Sequence, residues 1–210
     1  MARETRIRKQ LNEKAIAVIG EGITEQYYLL SIKHLTTFQI TPKLPKHSTG
    51  EDFVENEISK CIVDGYSTIY CLIDMDNKKS GKEKVKYQKL KAKYHTKVFK
   101  NKTIGTESEI IFFENERCLE IWFLFHFKNT TAEFTSQNDL LKELNKFCRY
   151  EKTEKFFLSI SGLNQYFIKN GGNLDTAKRN AETSLRRMNE HATDYTYSEM
   201  KNFFDLIESK

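Results

Sequence analysis

Apolar and polar residues fall into blocks along the chain, and the blocks predict alternating strands and helices. Ala15–Gly20 is a short apolar run closed by glycine, which predicts a buried strand. Thr24 then stands where a helix cap belongs, and Tyr28, Leu29, Ile32 and Leu35 are spaced for one face of a helix reaching about Leu35. Phe38–Leu44 predicts a second strand. Glu51–Asp64 predicts a helix with Phe53, Val54, Ile58 and Ile62 as its apolar stripe and Gly65 after its end. Ser67–Ile73, STIYCLI, is the clearest strand and stops abruptly at Asp74-Met75-Asp76. From Lys82 to about Tyr94 the lysines can fan outward while Tyr87, Leu90 and Tyr94 face in, as on a helix. Glu109–Phe113 predicts a further strand, and Cys118–Phe127 a strongly apolar helix with one carboxylate, Glu120.

This alternation implies an α/β fold, a mostly parallel sheet flanked by helices. After about Asn129 the pattern changes. Leu140–Tyr150, Lys155–Asn170, Leu174–His191 and Tyr197–Glu208 all read as helices, the third with Leu174, Ala177, Ala181, Leu185 and Met188 as a stripe. No repeat and no Gly/Ser linker separates them. The expected organisation is an α/β core over 1–128, including a basic N-terminal segment, and a C-terminal helical extension over 129–210 packed on it.

Composition narrows the class. The 210 residues provide for one sizeable core, and 15 Phe and 10 Tyr supply enough apolar surface to argue against disorder. The longest apolar run, near Ile121–Phe127, is interrupted by His126 and is far shorter than a bilayer span. The first residues, MARETRIRKQLNEK, lack the apolar centre of a signal peptide. Cys61, Cys71, Cys118 and Cys148 form no CxxC pair and read as free thiols, which predicts a cytoplasmic protein.

Charge sharpens the picture further. The net charge is +5, yet Lys78–Lys102 holds eleven lysines and one acid, so the remainder of the chain is acidic by five. Such a block reads either as a solvated helix face or as a track for a nucleic-acid backbone, carried by Lys82, Lys84, Lys86, Lys89, Lys91 and Lys93.

The candidate chemistry begins in Ile19-Gly20-Glu21-Gly22-Ile23-Thr24-Glu25. A dinucleotide fingerprint requires glycine where Glu25 stands, and no Gly-Lys-Ser/Thr follows for a P-loop. Two carboxylates also oppose direct phosphate binding. Ligands of open α/β sheets sit beyond the carboxyl ends of the strands. Glu21 follows the first strand, with the glycines read as the means of turning the chain sharply there, and Asp74 and Asp76 follow a later one. Their convergence calls for a hard divalent cation, Mg2+ or Mn2+. The alternative for Asp74-Met75-Asp76 is a plain turn or cap. An EF-hand is excluded because Lys78 and Lys79 stand where a ligand and a glycine are needed. Glu25 is either a further metal ligand or an acid favoured at a helix N-terminus. Glu120 needs a partner or a metal among its apolar neighbours. His126 reads as an ordinary buried histidine and Trp122 as core.

Gly20-Glu21-Gly22 after one strand and Asp74-Met75-Asp76 after another resemble the Toprim domain of topoisomerases, primases and overcoming-lysogenization-defect nucleases. More narrowly, Glu21–Glu25 with Tyr28, and Cys118-Leu119-Glu120-Ile121-Trp122 continuing to His126-Phe127, resemble the RloB-like family of phage-defence proteins. That family usually has Asn-Pro where Glu116-Arg117 stand here. The resemblance implies metal-dependent phosphodiester cleavage of tRNA or DNA in antiphage defence. Glu21, Asp74 and Asp76 would be catalytic, and Glu25 and Glu120 would be further metal ligands. It also implies control by an AAA or ABC-type ATPase encoded nearby. No membrane association is expected, and a homo-oligomer is compatible with the chain. Two other readings stand beside it: a catalytically inactive Toprim-fold binding module, and a metal-dependent phosphotransfer enzyme acting on a small substrate.

Overall fold

In a computed structural model, five strands form one sheet in the order β2-β1-β3-β5-β4. The described residues are 15–35, 38–41, 50–191 and 195–209. The basic N-terminal segment and residues 42–44 of the expected second strand lie outside them. The strands are β1 Ile16–Gly20, β2 Gln39–Thr41, β3 Thr68–Asp74, β4 Lys97–Asn101 and β5 Thr106–Asn115. All neighbours run parallel except β4, which pairs antiparallel with β5. The expected mixed α/β fold with a mostly parallel sheet is therefore present.

Both faces of the sheet are covered, and the strand alternation assigns each side chain to a face. Ile16 and Val18 of β1, Tyr70 and Leu72 of β3, and Phe113 of β5 belong to one core. On that face pack α1 Ile23–Ile32, the short α4 Glu120–Phe125, α5 Gln137–Leu144, α6 Glu154–Ser159, α7 Leu163–Lys169, α8 Leu174–His191 and α9 Met200–Glu208. Ala17 and Ile19, then Ile69, Cys71 and Ile73, then Ile110 and Phe112 point the other way. They meet α2 Glu51–Asp64 and α3 Gly81–Tyr94 through Val54, Ile58, Tyr87, Leu90 and Tyr94. The helices after residue 129 thus share one hydrophobic core with the sheet. The four cysteines are free and buried, and no helix among the described residues is long and apolar enough to cross a membrane.

Several expectations need correction. Thr24 does not cap α1. The N-cap is Gly22, without a side-chain hydrogen bond, and the helix ends at Ile32. The helix expected over Lys155–Asn170 is two helices, because Gly162 adopts φ 102° between them. The apolar helix expected from Cys118 spans six residues, Glu120–Phe125, and the one expected over Leu140–Tyr150 runs instead over Gln137–Leu144. Strand β4 was absent from the sequence pattern. By contrast α2 has the expected limits, closed by Gly65 at φ 88° with its N–H on the carbonyls of Cys61 and Ile62.

The sheet order creates a crevice. β1 and β3 are adjacent and parallel, but β1 leads into α1 on one face and β3 into α3 on the other. Connections that diverge in this way leave an opening at the carboxyl ends of the strands.

Candidate functional site

Glu21 is the first residue beyond β1, and Asp74 is the last of β3, paired in register with Asn115 of β5. Both lie at the crevice. A cavity of about 500 Å³ opens there, lined by Glu21, Glu25, Asp74, Asp76, Lys78 and Lys152, together with the N-terminal turn of α2 and Glu83 and Lys86 of α3. Four of the expected acids therefore share one opening, and Glu120 lies behind its wall.

The glycines serve a different purpose from the one expected. Gly22 has φ −142°, ordinary extended backbone, and Gly20 is not in the left-handed region either. They are small because Glu25 folds back against them. A Cβ on Gly20 would come within 2.5 Å of the Glu25 Cβ, and one on Gly22 within 2.8 Å of its Oε2. The motif makes room for a buried carboxylate.

Each acid has a distinct environment. Glu21 is buried, and Lys78 Nζ lies 3.2 Å from its Oε2, while its Oε1 has no hydrogen-bond partner among the described residues. Burial pushes its pKa up to about 7. Lys78 opposes the shift, and Glu25 and Glu51 add to it. Glu25 is 2 % exposed, and its pKa is raised by burial, with Lys152 opposing and Glu120 reinforcing. Asp74 is held well above the carboxylate range by burial and by the charges of Glu25 and Glu120. Its Oδ1 accepts from the Leu119 N–H at 2.9 Å, tying the end of β3 to the start of α4. Asp76 stands exposed on the turn after β3, and its backbone carbonyl accepts from Arg117 Nη1. That turn ends the extended backbone at Asp74, so Asp74 and Asp76 do not share a strand.

Glu120 is fully buried and is the best satisfied of the group. Its Oε1 accepts from Tyr150 OH at 3.0 Å and Thr24 Oγ1 at 3.2 Å, Gln137 Nε2 donates to Oε2, and Lys152 Nζ lies 3.3 Å away. Burial opposes its ionisation, but the Lys152 charge and hydrogen bonds from Cys118, the Glu120 backbone N–H and Tyr150 outweigh burial and lower its pKa. Thr24, expected as a cap, is a donor to Glu120. Lys152 and Tyr150 come from the loop between α5 and α6; no signal marked Lys152, and Tyr150 was read as the end of a helix. Burial opposes the Lys152 charge, but Glu120, Glu25 and Asp74 more than compensate and raise its pKa.

The fit to a divalent cation is good in kind. All the acids supply hard oxygen ligands, and Glu21, whose Oε1 is buried and unpartnered among the described residues, lines a pocket rich in carboxylates. In arrangement the site is not closed: among the described residues no three His, Cys, Asp or Glu side chains gather so as to hold a metal. The ammonium groups of Lys78 and Lys152 stand among the carboxylates instead.

The lysine helix separates into two groups. Lys91 is ion-paired to Glu114, Lys93 to Glu55 at 2.6 Å, and Lys86 to Glu83 at 3.3 Å. Lys82, Lys84 and Lys89 are exposed, and none has a hydrogen-bond or ion-pair partner among the described residues. His126 is 1 % exposed with burial pushing its pKa down to about 3, so it is neutral, and Trp122 is core, donating to Tyr28 OH.

No curated protein and no solved structure matches the chain. A family model, RloB-like protein, matches residues 16–209. That span contains the sheet, every helix and every residue of the crevice, and the chain belongs to the RloB-like family.

Proposed function

We propose that this protein is a Toprim-type nuclease that uses Mg2+ or Mn2+ to cleave phosphodiester bonds in tRNA or DNA. In this reading it acts in the cytoplasm as an antiphage effector controlled by a partner ATPase of the AAA or ABC type. The observation that carries the reading is the crevice where Glu21, Glu25, Asp74 and Asp76 share one opening, with Glu21 Oε1 buried and unpartnered. A buried carboxylate oxygen without a partner is costly, and raised pKa values at a cleft mark functional sites. The resemblance of Glu21 and Asp74-Met75-Asp76 to the Toprim signature supplies the reaction class and the ATPase partner.

Glu21, Asp74 and Asp76 would hold the cation, with Glu25 on the deeper side. A bound cation neutralises a phosphate oxygen and helps to activate water. Glu21, with a pKa of about 7, can exchange a proton at working pH. Lys152, positioned by Glu120, brings positive charge to the pocket edge where charge develops on the phosphate. Lys82, Lys84 and Lys89 are exposed on α3, whose Glu83 and Lys86 border the opening, and offer positive charge for the nucleic-acid backbone.

The alternative of a non-catalytic binding module is favoured by one observation, the lack of a ready three-ligand set. The test is to incubate the full chain, with and without the neighbouring ATPase, with tRNA and plasmid DNA in Mg2+, Mn2+ or EDTA. The nuclease reading expects cleavage that EDTA abolishes and that Glu21→Gln and Asp74→Asn lose. Absence of metal-dependent cleavage with either activator and substrate would favour the binding module.

A further inference from the structure

We propose that Lys78 is a resident counterion of the crevice, whose ammonium occupies the ligand positions of a divalent cation and must leave when the cation binds. This inference rests on the metal-site reading above.

Lysine is almost never fully buried unless it is paired, yet Lys78 is only 5 % exposed. It lies on the turn directly after the Asp74-Met75-Asp76 segment, its N–H bonded to the Met75 carbonyl. The side chain folds back beneath that turn rather than out to solvent. Its Nζ donates to the Asp74 backbone carbonyl at 2.8 Å and meets Glu21 Oε2 at 3.2 Å. One ammonium thus bridges the ends of β1 and β3, the two strands whose acids are the candidate ligands. Its neighbour Lys79 pairs with Glu116 instead, at 3.3 Å, so the position of Lys78 is not a general property of this lysine-rich turn.

The charge arrangement gives this bridge a purpose. Glu21, Glu25 and Glu120 are buried and Asp74 is half-buried, close enough to shift one another, and without cations they would repel strongly. Lys152 serves the deeper part through Glu120, and Lys78 serves the outer part through Glu21. The compensation by Lys78 is incomplete, since Glu21 Oε1 is left unpartnered. An ammonium has three N–H donors and so meets at most about three oxygens, whereas a divalent cation takes six or more. The two cannot share the Glu21 carboxylate without strong repulsion. On this inference the Lys78 ammonium holds the Glu21 carboxylate and the Asp74 carbonyl, and Glu21 is free to join the other acids on a cation only after the lysine moves. The exposed Asp76 and Asn77 of the same turn provide the way out.

The experiment measures Mn2+ binding to the full chain by titration calorimetry, without nucleic acid, for the parent, Lys78→Met, Lys78→Arg and Lys79→Met. Lys78→Met is expected to bind Mn2+ at least about tenfold more tightly than the parent, because a competing charge is gone. Lys78→Arg and Lys79→Met should stay near the parent. Equal or weaker binding by Lys78→Met overturns the inference and leaves the metal site standing. Failure of every variant and the parent to bind Mn2+ overturns both. A second measurement uses the parent alone and is independent of how the variants fold. Lys78 should be protected from an amine-reactive label in EDTA and become labelled at saturating Mn2+, and unchanged protection would sink the proposal.

Discussion

Two buried acidic clusters lie at the same end of the sheet, on opposite faces, and they are built differently. Glu114 of β5 points to the α3 side, where it accepts from Tyr87 OH at 2.5 Å, from Tyr197 OH at 2.7 Å and from Lys91. Burial opposes its ionisation, but these partners win and its pKa is lowered. Its backbone N–H is in turn bonded to Glu199 at 2.7 Å. Asp74, one strand away, points to the α1 and α4 side, where carboxylates face one another and the pKa values of Glu21, Glu25 and Asp74 are raised. Buried acids with every oxygen partnered fasten a fold together, as around Glu114. Buried acids left short of partners store unfavourable charge, which a fold tolerates where a ligand relieves it. The contrast sets the fully partnered Glu114 apart from Glu21, Glu25 and Asp74, although Glu199 beside Glu114 shares a raised pKa and Glu120 behind the crevice shares a lowered one.

The largest expected effect tests that division directly. Glu21→Gln and Asp74→Asn should each lower metal-dependent cleavage by about 10²–10⁴-fold, the usual scale for losing an acid–base group. Both variants should fold, because each removes a charge that burial disfavours. Steady-state rates measured beside urea unfolding curves check both halves. A rate loss of the same size in Glu114→Gln would erase the distinction.

Next in size is a pH effect. Glu21 has a pKa of about 7 in the folded chain against an ordinary 4.5. Between those values the folded state holds the extra proton, so stability is greatest below the window and falls as pH rises through it, by about 3 kcal/mol. Glu199, raised to about 7 chiefly by burial, contributes with the same sign over the same range. Unfolding in urea with EDTA from pH 5 to 8 should therefore show a steeper decline for the parent than for Glu21→Gln, and the difference isolates Glu21. Mg2+ should flatten the parent curve. Parallel curves would remove Glu21 from the account.

The same contrast explains what the sequence could reveal. Strands β1 and β3 and helix α2 were legible because apolar runs between glycines carry their own period and stops. The positions of Glu21 and Asp74 followed, since they depend only on where a strand ends. Strand β4 was hidden because Lys97, Val98 and Lys100 are exposed on an edge, and the charges that protect an edge erase the strand pattern. The break at Gly162 was not read from the sequence, because apolar residues flank it on each side within the helix expected over Lys155–Asn170. Thr24 looked like a cap because its true partner, Glu120, lies 96 residues away. Lys152 reaches the crevice from an irregular loop, where position carries no periodic signature, and Tyr150, read as the end of a helix, lies on the same loop and bonds Glu120. In the sequence Lys78 was one of eleven lysines and a residue that excluded an EF-hand, and nothing marked it as buried, since its burial arises from tertiary packing alone.

Smaller effects probe the satisfied side. Glu114→Gln keeps the shape of the network but leaves the Lys91 ammonium without its carboxylate. It should cost about 2 kcal/mol of stability, at the scale of a hydrogen bond to a charged group, and leave Mn2+ affinity unchanged. Thermal unfolding and calorimetry together check this, and a change in Mn2+ affinity would mean that the two clusters communicate across the sheet.

The smallest effect per residue concerns α3, where partnered and unpartnered charges stand on one helix. Lys91 and Lys93 are committed to Glu114 and Glu55, while Lys82, Lys84 and Lys89 are exposed without partners among the described residues. If unpartnered charge marks function here as it does in the crevice, the triple change Lys82→Gln, Lys84→Gln and Lys89→Gln should weaken nucleic-acid binding. It should also flatten the slope of log K against log salt by about 2–3, near one unit for each phosphate no longer neutralised. Lys93→Gln should leave that slope unchanged, because its charge is already committed to Glu55. Fluorescence anisotropy with a labelled RNA hairpin and a labelled DNA duplex across a salt series makes the comparison. An unchanged slope in the triple variant would return the whole helix to plain solvated surface and leave the crevice without its backbone track.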